Sequence, residues 1–294
     1  MQQNGNPSGE LTGGPTSPLR YPMTVQEAIM KLCLVCIFLL AVICQGEMTY
    51  NIKEAVKKQM DPAQTSRSKE KPCQENANKT KPRSCVDQLK NGAGKCGYYK
   101  IYDAAGNGFT VFCDMETEPG AAWTLITSWS FKNKLFSNFR TTPLSINDPV
   151  NENSPNWFLY RLTVDRMKSL RDVSTHWRAT CSYDKYGINN YKDYVRGKFA
   201  EADIFAFLGG GVCLKTELVN IRGHTGIHKT AKFWQVAATF TPHIDSSSKG
   251  CQFDPTVGAV SSEDNFGFYG NTNPKFTCTM NGDSTTQWWF GAYK

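Results

Sequence analysis

Between residues 97 and 130 the chain alternates short runs of aromatic and β-branched residues with polar turn sequences. Gly97–Ile101 and Phe109–Cys113 have the composition of strands. Asp103–Gly108 separates them and ends in a Gly-Asn-Gly sequence, which tolerates the positive φ angles of tight turns. We therefore predict a β-hairpin over residues 97–113. The apolar content of Thr124–Trp129 predicts a further strand there.

The apolar pattern further along the chain predicts one helix and several more strands. Thr163–Leu170 has apolar residues at the spacing of an amphipathic helix. Gly209–Gly211 lacks the Gly-Lys-Ser/Thr ending of a phosphate-binding loop, so it is predicted to be a β-turn before Val212. The pattern therefore indicates a mixed α and β domain. The further predicted strands are Lys198–Ala200, Ile204–Phe207, Phe233–Phe240 and a closing strand over Trp288–Gly291.

The strongest apolar run is Leu32–Cys44, which follows Lys31. Its thirteen residues match the core of a secretory signal, because a bilayer span needs about 20 apolar residues. Cleavage before Glu47 would release a secreted protein. If the polar lead is retained, the run extends back to Ala28 and acts as a signal anchor. Both alternatives predict an extracellular carboxyl portion, either secreted or held as a single-pass type II membrane protein.

The segment that follows the apolar run is polar, basic and interrupted by prolines, which predicts a stalk. It contains the only N-glycosylation sequon of the chain, at Asn78. Cys73 also lies here and is expected to pair within the chain, most simply with Cys96, or with a second copy to give a homo-oligomer. The predicted segments are a lead (1–31), a signal or anchor (32–46), the stalk (47–84) and one domain (85–294).

Eight cysteines follow the apolar run, and an even number behind an export signal predicts disulfides. No Cys-x-x-Cys or Cys/His cluster occurs among them, so zinc binding is not favoured. The net charge of +7 is spread along the chain. This distribution argues against nucleic-acid binding and is compatible with polyanionic extracellular ligands.

We find no catalytic pattern and predict no catalytic, cofactor-binding or metal residues. His224 and His228 are four residues apart, but glycines around them favour a surface turn over a helix. Thr225 stands where a metalloprotease motif requires glutamate. A Gly-x-Ser-x-Gly elbow is also missing from the sequence, so the protein is not predicted to be an enzyme.

The segment Ser84–Thr124 resembles the opening of a fibrinogen C-terminal-like domain. The resemblance rests on the spacing of Cys85 and Cys113, on the phrase Cys-Asp-Met-Glu-Thr that begins at Cys113, and on Gly-Ala-Ala-Trp-Thr from Gly120. It implies a Cys85–Cys113 disulfide. It also implies an α+β, disulfide-stapled domain with an antiparallel sheet, short helices and long loops.

Later segments add to the resemblance and also depart from it. His176–Arg178 is similar to intelectins, and the chain as a whole resembles secreted cnidarian proteins, including coral skeletal organic matrix proteins. Members of the family commonly bind calcium through alternating aspartates, whereas Ser261–Phe266 has only two adjacent acids, so calcium is not favoured. By proximity along the chain, the remaining cysteines are expected to pair as Cys181–Cys213 and Cys251–Cys278.

Two functional hypotheses follow. The first is a non-enzymatic, lectin-like recognition module that binds carbohydrate, acetylated or acidic ligands near the carboxyl end of the fold. The second is a structural extracellular or biomineral matrix protein that adheres to acidic polymers through diffuse charge. The two differ in their expected sensitivity to salt, because diffuse charge contacts weaken steeply as ionic strength rises.

Overall fold

The computed structural model describes residues 81–294. The predicted lead, the apolar run Leu32–Cys44, Cys73 and the Asn78 sequon lie outside the described residues. Within residues 81–294, no helix has both the length and the apolar character needed to cross a membrane.

The helices are short, and side-chain caps define where two of them begin. The Ser84 hydroxyl accepts a hydrogen bond from the Asp87 amide at the start of α1, and Thr163 caps α3 in the same way. The buried face of α3 carries Met167 and Leu170, which confirms the amphipathic helix predicted from Thr163. The helices are α1 (Cys85–Lys90), α2 (Ser137–Arg140), α3 (Val164–Arg171) and α4 (Tyr183–Tyr186), with 3-10 turns at Phe131–Asn133 and Thr277–Thr279.

The larger sheet has nine strands in the described part of the chain, and every pair is antiparallel. Its order is β1-β2-β3-β13-β5-β6-β8-β9, with β4 also paired to β3. The predicted hairpin is confirmed as β1–β2, and the strand predicted over Thr124–Trp129 is the centre of β3. The strands are β1 (Gly97–Tyr102), β2 (Gly108–Asp114), β3 (Ala121–Ser130), β4 (Leu159–Arg161), β5 (His176–Cys181), β6 (Tyr194–Lys198), β8 (Leu218–Ile221), β9 (His224–Ile227) and β13 (Thr285–Tyr293).

The carboxyl-terminal strand β13 lies between β3 and β5 and closes the core. Trp288 and Trp289 are buried, as a closing strand predicts. Gly291 pairs with Trp123 on β3, and a Cβ atom there would lie 2.4 Å from the Ala122 carbonyl oxygen. Glycine therefore lets the two strands approach at this point.

A second, four-stranded sheet has the order β12-β11-β10-β7. The prediction of one strand over Phe233–Phe240 is wrong, because the chain turns after Val236 and begins a new strand at Phe240. Ala238 has a φ of 58° in that turn. The strands are β7 (Gly209–Lys215), β10 (Thr230–Val236), β11 (Phe240–Asp245) and β12 (Asp264–Asn265).

Two other local predictions are corrected by the structure. Gly209–Gly211 begins strand β7 instead of forming a turn, and the register there shifts opposite Phe233–Gln235, as in a β-bulge. The strands predicted at Lys198–Ala200 and Ile204–Phe207 are absent, since β6 ends at Lys198. The Asp203 side chain instead accepts backbone hydrogen bonds from Phe205 and Ala206, which stabilises a turn.

Three disulfides join described residues. Cys85–Cys113 is the bond that the family resemblance implies. The other two pairings differ from those expected by proximity: Cys181 bonds to Cys278, and Cys213 bonds to Cys251. Cys181 ends β5, and its true partner is 97 residues away in sequence, so distance along the chain is a poor guide to the pairing. Cys96, one of the two alternative partners considered for Cys73, is half-buried and forms no disulfide with any described residue.

Candidate functional site

A cavity of about 190 Å³ opens on the four-stranded sheet. Its lining residues lie on strands β10, β11 and β12, at Ser262 before β12, and in the segment after β12. Aromatic side chains, two carboxylates and small polar groups together form the wall. The lining residues are Trp234, Phe240, His243, Asp245, Ser262, Asp264, Phe268, Gly270 and Asn271.

Four rings form a continuous aromatic wall in this pocket. Trp234 and His243 face each other across β10 and β11, and their rings stack with centroids 5.8 Å apart. Phe268 stacks on the other side of His243 at 5.3 Å. Phe240 packs edge-on against Phe268 at 4.7 Å. These stacked and edge-on rings give the pocket an apolar side.

Two carboxylates lie side by side in the same wall. Asp245 and Asp264 are direct partners on β11 and β12, a position where like charges destabilise a sheet. Asp264 is 5% exposed, and burial together with the negative Asp245 raises its pKa to about 7. Its Oδ2 atom accepts the Asn271 amide at 3.0 Å. The pocket therefore holds a carboxyl group whose charge changes near neutral pH.

His243 is 3% exposed, and its hydrogen bonds determine its role. Nδ1 lies 2.9 Å from the Thr241 carbonyl oxygen, to which it donates. Nε2 lies 3.4 Å from Asp264 Oδ1. Burial lowers the pKa of His243 to about 4, so the ring is neutral at neutral pH. Its Nε2 atom can then accept a hydrogen bond from the Asp264 carboxyl group, which is protonated below pH 7.

The pocket contains the residue types of a hydrolytic triad in Ser262, His243 and Asp264. A working triad needs one ring nitrogen to face the serine while the other faces the carboxylate. Here Nδ1 faces the Thr241 carbonyl and Nε2 faces Asp264, so neither nitrogen is placed to take a proton from Ser262. The arrangement therefore suits binding and does not provide this relay.

The candidate residues from the sequence, the histidines at 224 and 228 and the acids of Ser261–Phe266, do not form a common site. His224 lies on β9 and contacts the Val257 carbonyl, and His228 follows that strand. In the segment Ser261–Phe266, Glu263 and Asp264 have different partners and do not form a shared cation site. Across the described part of the chain, no group of three or more His, Cys, Asp or Glu residues could hold a metal ion.

Sequence reasoning missed Trp234, His243 and Asp245 as site residues. These residues come together only because the chain turns between β10 and β11. The prediction of a single strand over Phe233–Phe240 leaves no room for that turn. The signal available was weak, because the turn consists of Ala237, Ala238 and Thr239 and contains no glycine, proline or asparagine. The sequence marks Asp264 only as one of two adjacent acids.

A second charged cluster lies inside the larger sheet. Arg178 on β5 is fully buried, with Nη2 2.5 Å from Asp114 Oδ2 and Nη1 3.4 Å from Glu118 Oε1. Arg196 contacts Glu118 as well, at 3.2 Å. The Tyr194 hydroxyl also donates to Glu118. Because these charges are paired and Asp114, Glu118 and Arg178 are buried, the cluster offers no open site for a ligand.

The fold and the disulfides define the class of protein. It is an antiparallel α+β domain that is cross-linked by three disulfides, which are typical of an oxidising, extracellular environment. The family model for the fibrinogen beta and gamma chains, C-terminal globular domain, matches residues 81–137. Over this segment the chain is similar to that globular domain. A search of curated proteins found no match to it. The matched segment runs from α1 to the start of α2 and does not include the pocket.

Proposed function

We propose that this protein is an extracellular, non-enzymatic recognition module that binds a neutral carbohydrate group in the pocket of the four-stranded sheet. The observation that carries the proposal is the pairing of an aromatic wall with carboxylates in one open cavity. The half-buried rings of Trp234 and Phe240 offer apolar surface to the carbon face of a sugar ring. Asp245, Asp264 and Asn271 offer oxygens that accept hydrogen bonds from hydroxyl groups.

The charge of the wall narrows the ligand class. Two carboxylates repel an acidic group, so the pocket does not favour the acidic ligands considered from the sequence. The volume of about 190 Å³ is smaller than the 300 Å³ or more of drug-sized ligand sites. A single neutral sugar unit at the end of a larger glycan fits these limits.

The test is binding of the full chain to an array of glycans and acidic polymers at low and high salt, with and without a chelator. We expect saturable binding to a narrow set of neutral glycans that persists at high salt, because pocket contacts are shielded from ions. Replacing Trp234 by alanine should weaken that binding about tenfold or more, since it removes one face of the wall.

Tyr98→Ala is the matched control, because Tyr98 is an exposed aromatic residue on β1 and does not line the pocket. It should bind like the wild type. Broad binding to acidic polymers that disappears at high salt, with no effect of Trp234→Ala, would reject the pocket and support the matrix hypothesis.

A further inference from the structure

Successive side chains along β11 and β12 point to opposite faces of the sheet. Asp245 and Asp264 line the pocket. Their chain neighbours Ser246 and Glu263 instead contact Arg222, which reaches them from the turn between β8 and β9. The wall of the pocket is therefore supported from behind by one arginine side chain.

Arg222 gathers four oxygen atoms around its guanidinium group. Nε donates to Glu263 Oε1 at 2.8 Å. Nη1 donates to the Val257 carbonyl at 2.9 Å, and Nη2 donates to the Pro255 carbonyl at 2.6 Å and to Ser246 Oγ at 3.4 Å. A carboxylate, two backbone carbonyls and a hydroxyl are the ligand types that hard divalent cations take.

Glu263 is fully buried, and its carboxylate accepts hydrogen bonds from three further residues. Its Oε2 atom accepts the Val260 amide at 3.0 Å and the Asn273 side-chain amide at 2.8 Å. Oε1 accepts the Asn265 side-chain amide at 3.0 Å. Without the positive charge of Arg222, these neutral donors would surround a buried carboxylate that has no counter-charge.

The position of Arg222 is itself determined by the fold. Its backbone amide donates to Asp193 Oδ1 at 2.6 Å, and the buried Asp193 also accepts two hydrogen bonds from Thr277. Gly258 in the loop has a φ of 74°, and a Cβ atom there would lie 3.3 Å from Arg222 Nη1. The loop and the guanidinium group are thus packed closely against each other.

We propose that Arg222 is a positioning residue whose guanidinium group serves as a built-in cation, holding residues 255–263 against β11 so that Ser262 and Asp264 line the pocket without any metal ion. This inference rests on the proposed function for its ligand-binding consequence. The ordering of the loop by Arg222 is independent of what the pocket binds.

The experiment compares the full-length wild type with Arg222→Gln and Arg222→Lys, measuring amide hydrogen exchange across residues 254–264 and affinity for the glycan found on the array. Arg222→Gln removes the charge and should increase exchange in this segment about tenfold or more and weaken glycan binding to a similar degree. Arg222→Lys keeps the charge but loses the fork of donors, so intermediate values are expected. It also replaces Arg222→Gln if that variant does not fold.

Calcium chloride provides a readout that a general loss of stability would not produce. Added calcium should restore protection of residues 254–264 in Arg222→Gln, because the freed oxygens can ligate it, and should not do so in Arg222→Gln/Glu263→Gln. It should leave the wild type unchanged. Arg166→Gln is the control, since Arg166 contacts the Glu152 carbonyl and the Phe109 ring and does not contact this loop.

Three results would overturn the proposal: unchanged exchange in Arg222→Gln, failure of calcium to restore protection there, or loss of wild-type loop protection in a chelator. If the wild type binds no glycan, the proposed function fails. The exchange data then still decide the role of Arg222.

Discussion

Asp114 in the larger sheet and Asp264 in the smaller sheet are both buried carboxyl groups, yet their surroundings shift their pKa values in opposite directions. Burial alone would raise the pKa of Asp114, but the adjacent Arg178 and hydrogen bonds from Thr117 hold it well below its usual range. Burial of Asp264 is reinforced by Asp245 and raises its pKa to about 7. One carboxylate has its counter-charge inside the protein, whereas the other lies beside a second acid.

This difference separates a structural cluster from a site. Asp114, Glu118, Arg178 and Arg196 balance one another's charges, and the first three are buried, so a ligand has no open surface to contact there. The pair Asp245 and Asp264 faces an open cavity, where a proton or the hydroxyl groups of a ligand can relieve the repulsion. In this domain the buried carboxylate that lies beside a second acid, Asp264, is the one that faces a possible ligand, whereas the carboxylate paired with an arginine, Asp114, is not.

The largest expected effect comes from removing the counter-charge of the structural cluster. Arg178→Met leaves Asp114 and Glu118 buried without their shared partner, and should lower the free energy of unfolding by about 3–5 kcal/mol. Denaturant unfolding at pH 7 measures it. Lys95→Met is the control, because Lys95 pairs with Glu116 on the surface, and it should unfold like the wild type. Equal midpoints for the two variants would mean that the cluster is not stabilising.

An intermediate effect is expected in the pH dependence of stability. Because the folded-state pKa of Asp264 is raised above its unfolded value of about 3.9, its stabilising contribution is lost as pH rises from about 4 to 7. Asp264→Asn should therefore gain stability relative to the wild type at pH 8 compared with pH 5. Thermal unfolding at several pH values gives the comparison.

Asp114→Asn should show the opposite sign. The folded-state pKa of Asp114 is lowered, so its contribution is present above the unfolded pKa and is lost as pH falls below about 4. This variant should be strongly destabilised at pH 7 and less so at pH 3. If both aspartate variants shift stability in the same direction with pH, the contrast between the two regions is wrong.

The same contrast explains how far the sequence could predict the structure. The β1–β2 hairpin, β3, α3 and the closing strand β13 follow from local patterns, because turn residues and apolar spacing lie within a few positions of each other. The Cys85–Cys113 bond follows from the resemblance, which covers the same region that the family model matches. Local signals and a recognisable motif were sufficient there.

The pocket and the remaining disulfides depend on contacts between distant segments. Cys181 reaches Cys278 because the 3-10 turn Thr277–Thr279 lies beside the end of β5, and that placement cannot be inferred from spacing. Asp245 meets Asp264 only after β12 pairs with β11 across an 18-residue connection between Asp245 and Asp264. One missed turn between β10 and β11 was enough to hide the aromatic wall.

The smallest expected effect concerns Arg140, which lies at the edge of the pocket. Its guanidinium group stacks 4.5 Å from the centre of the Phe268 ring and lowers the pKa of Asp264 against the effect of burial. Arg140→Met removes that positive charge and should move the pKa of Asp264 further upward. A ligand hydroxyl that donates to the carboxylate favours its ionised form, so the pH at which glycan affinity rises should shift from near 7 to a higher value. The loss of unfolding free energy should stay within about 1 kcal/mol, as for other partly exposed cation–π contacts. Affinity for the glycan, measured across pH 5–9, tests the shift.

Arg140→Lys is the control. It keeps the positive charge and should therefore retain the wild-type dependence of affinity on pH. An unchanged profile in Arg140→Met would show that Asp264 does not control binding, and the difference from Asp114 would then concern stability alone.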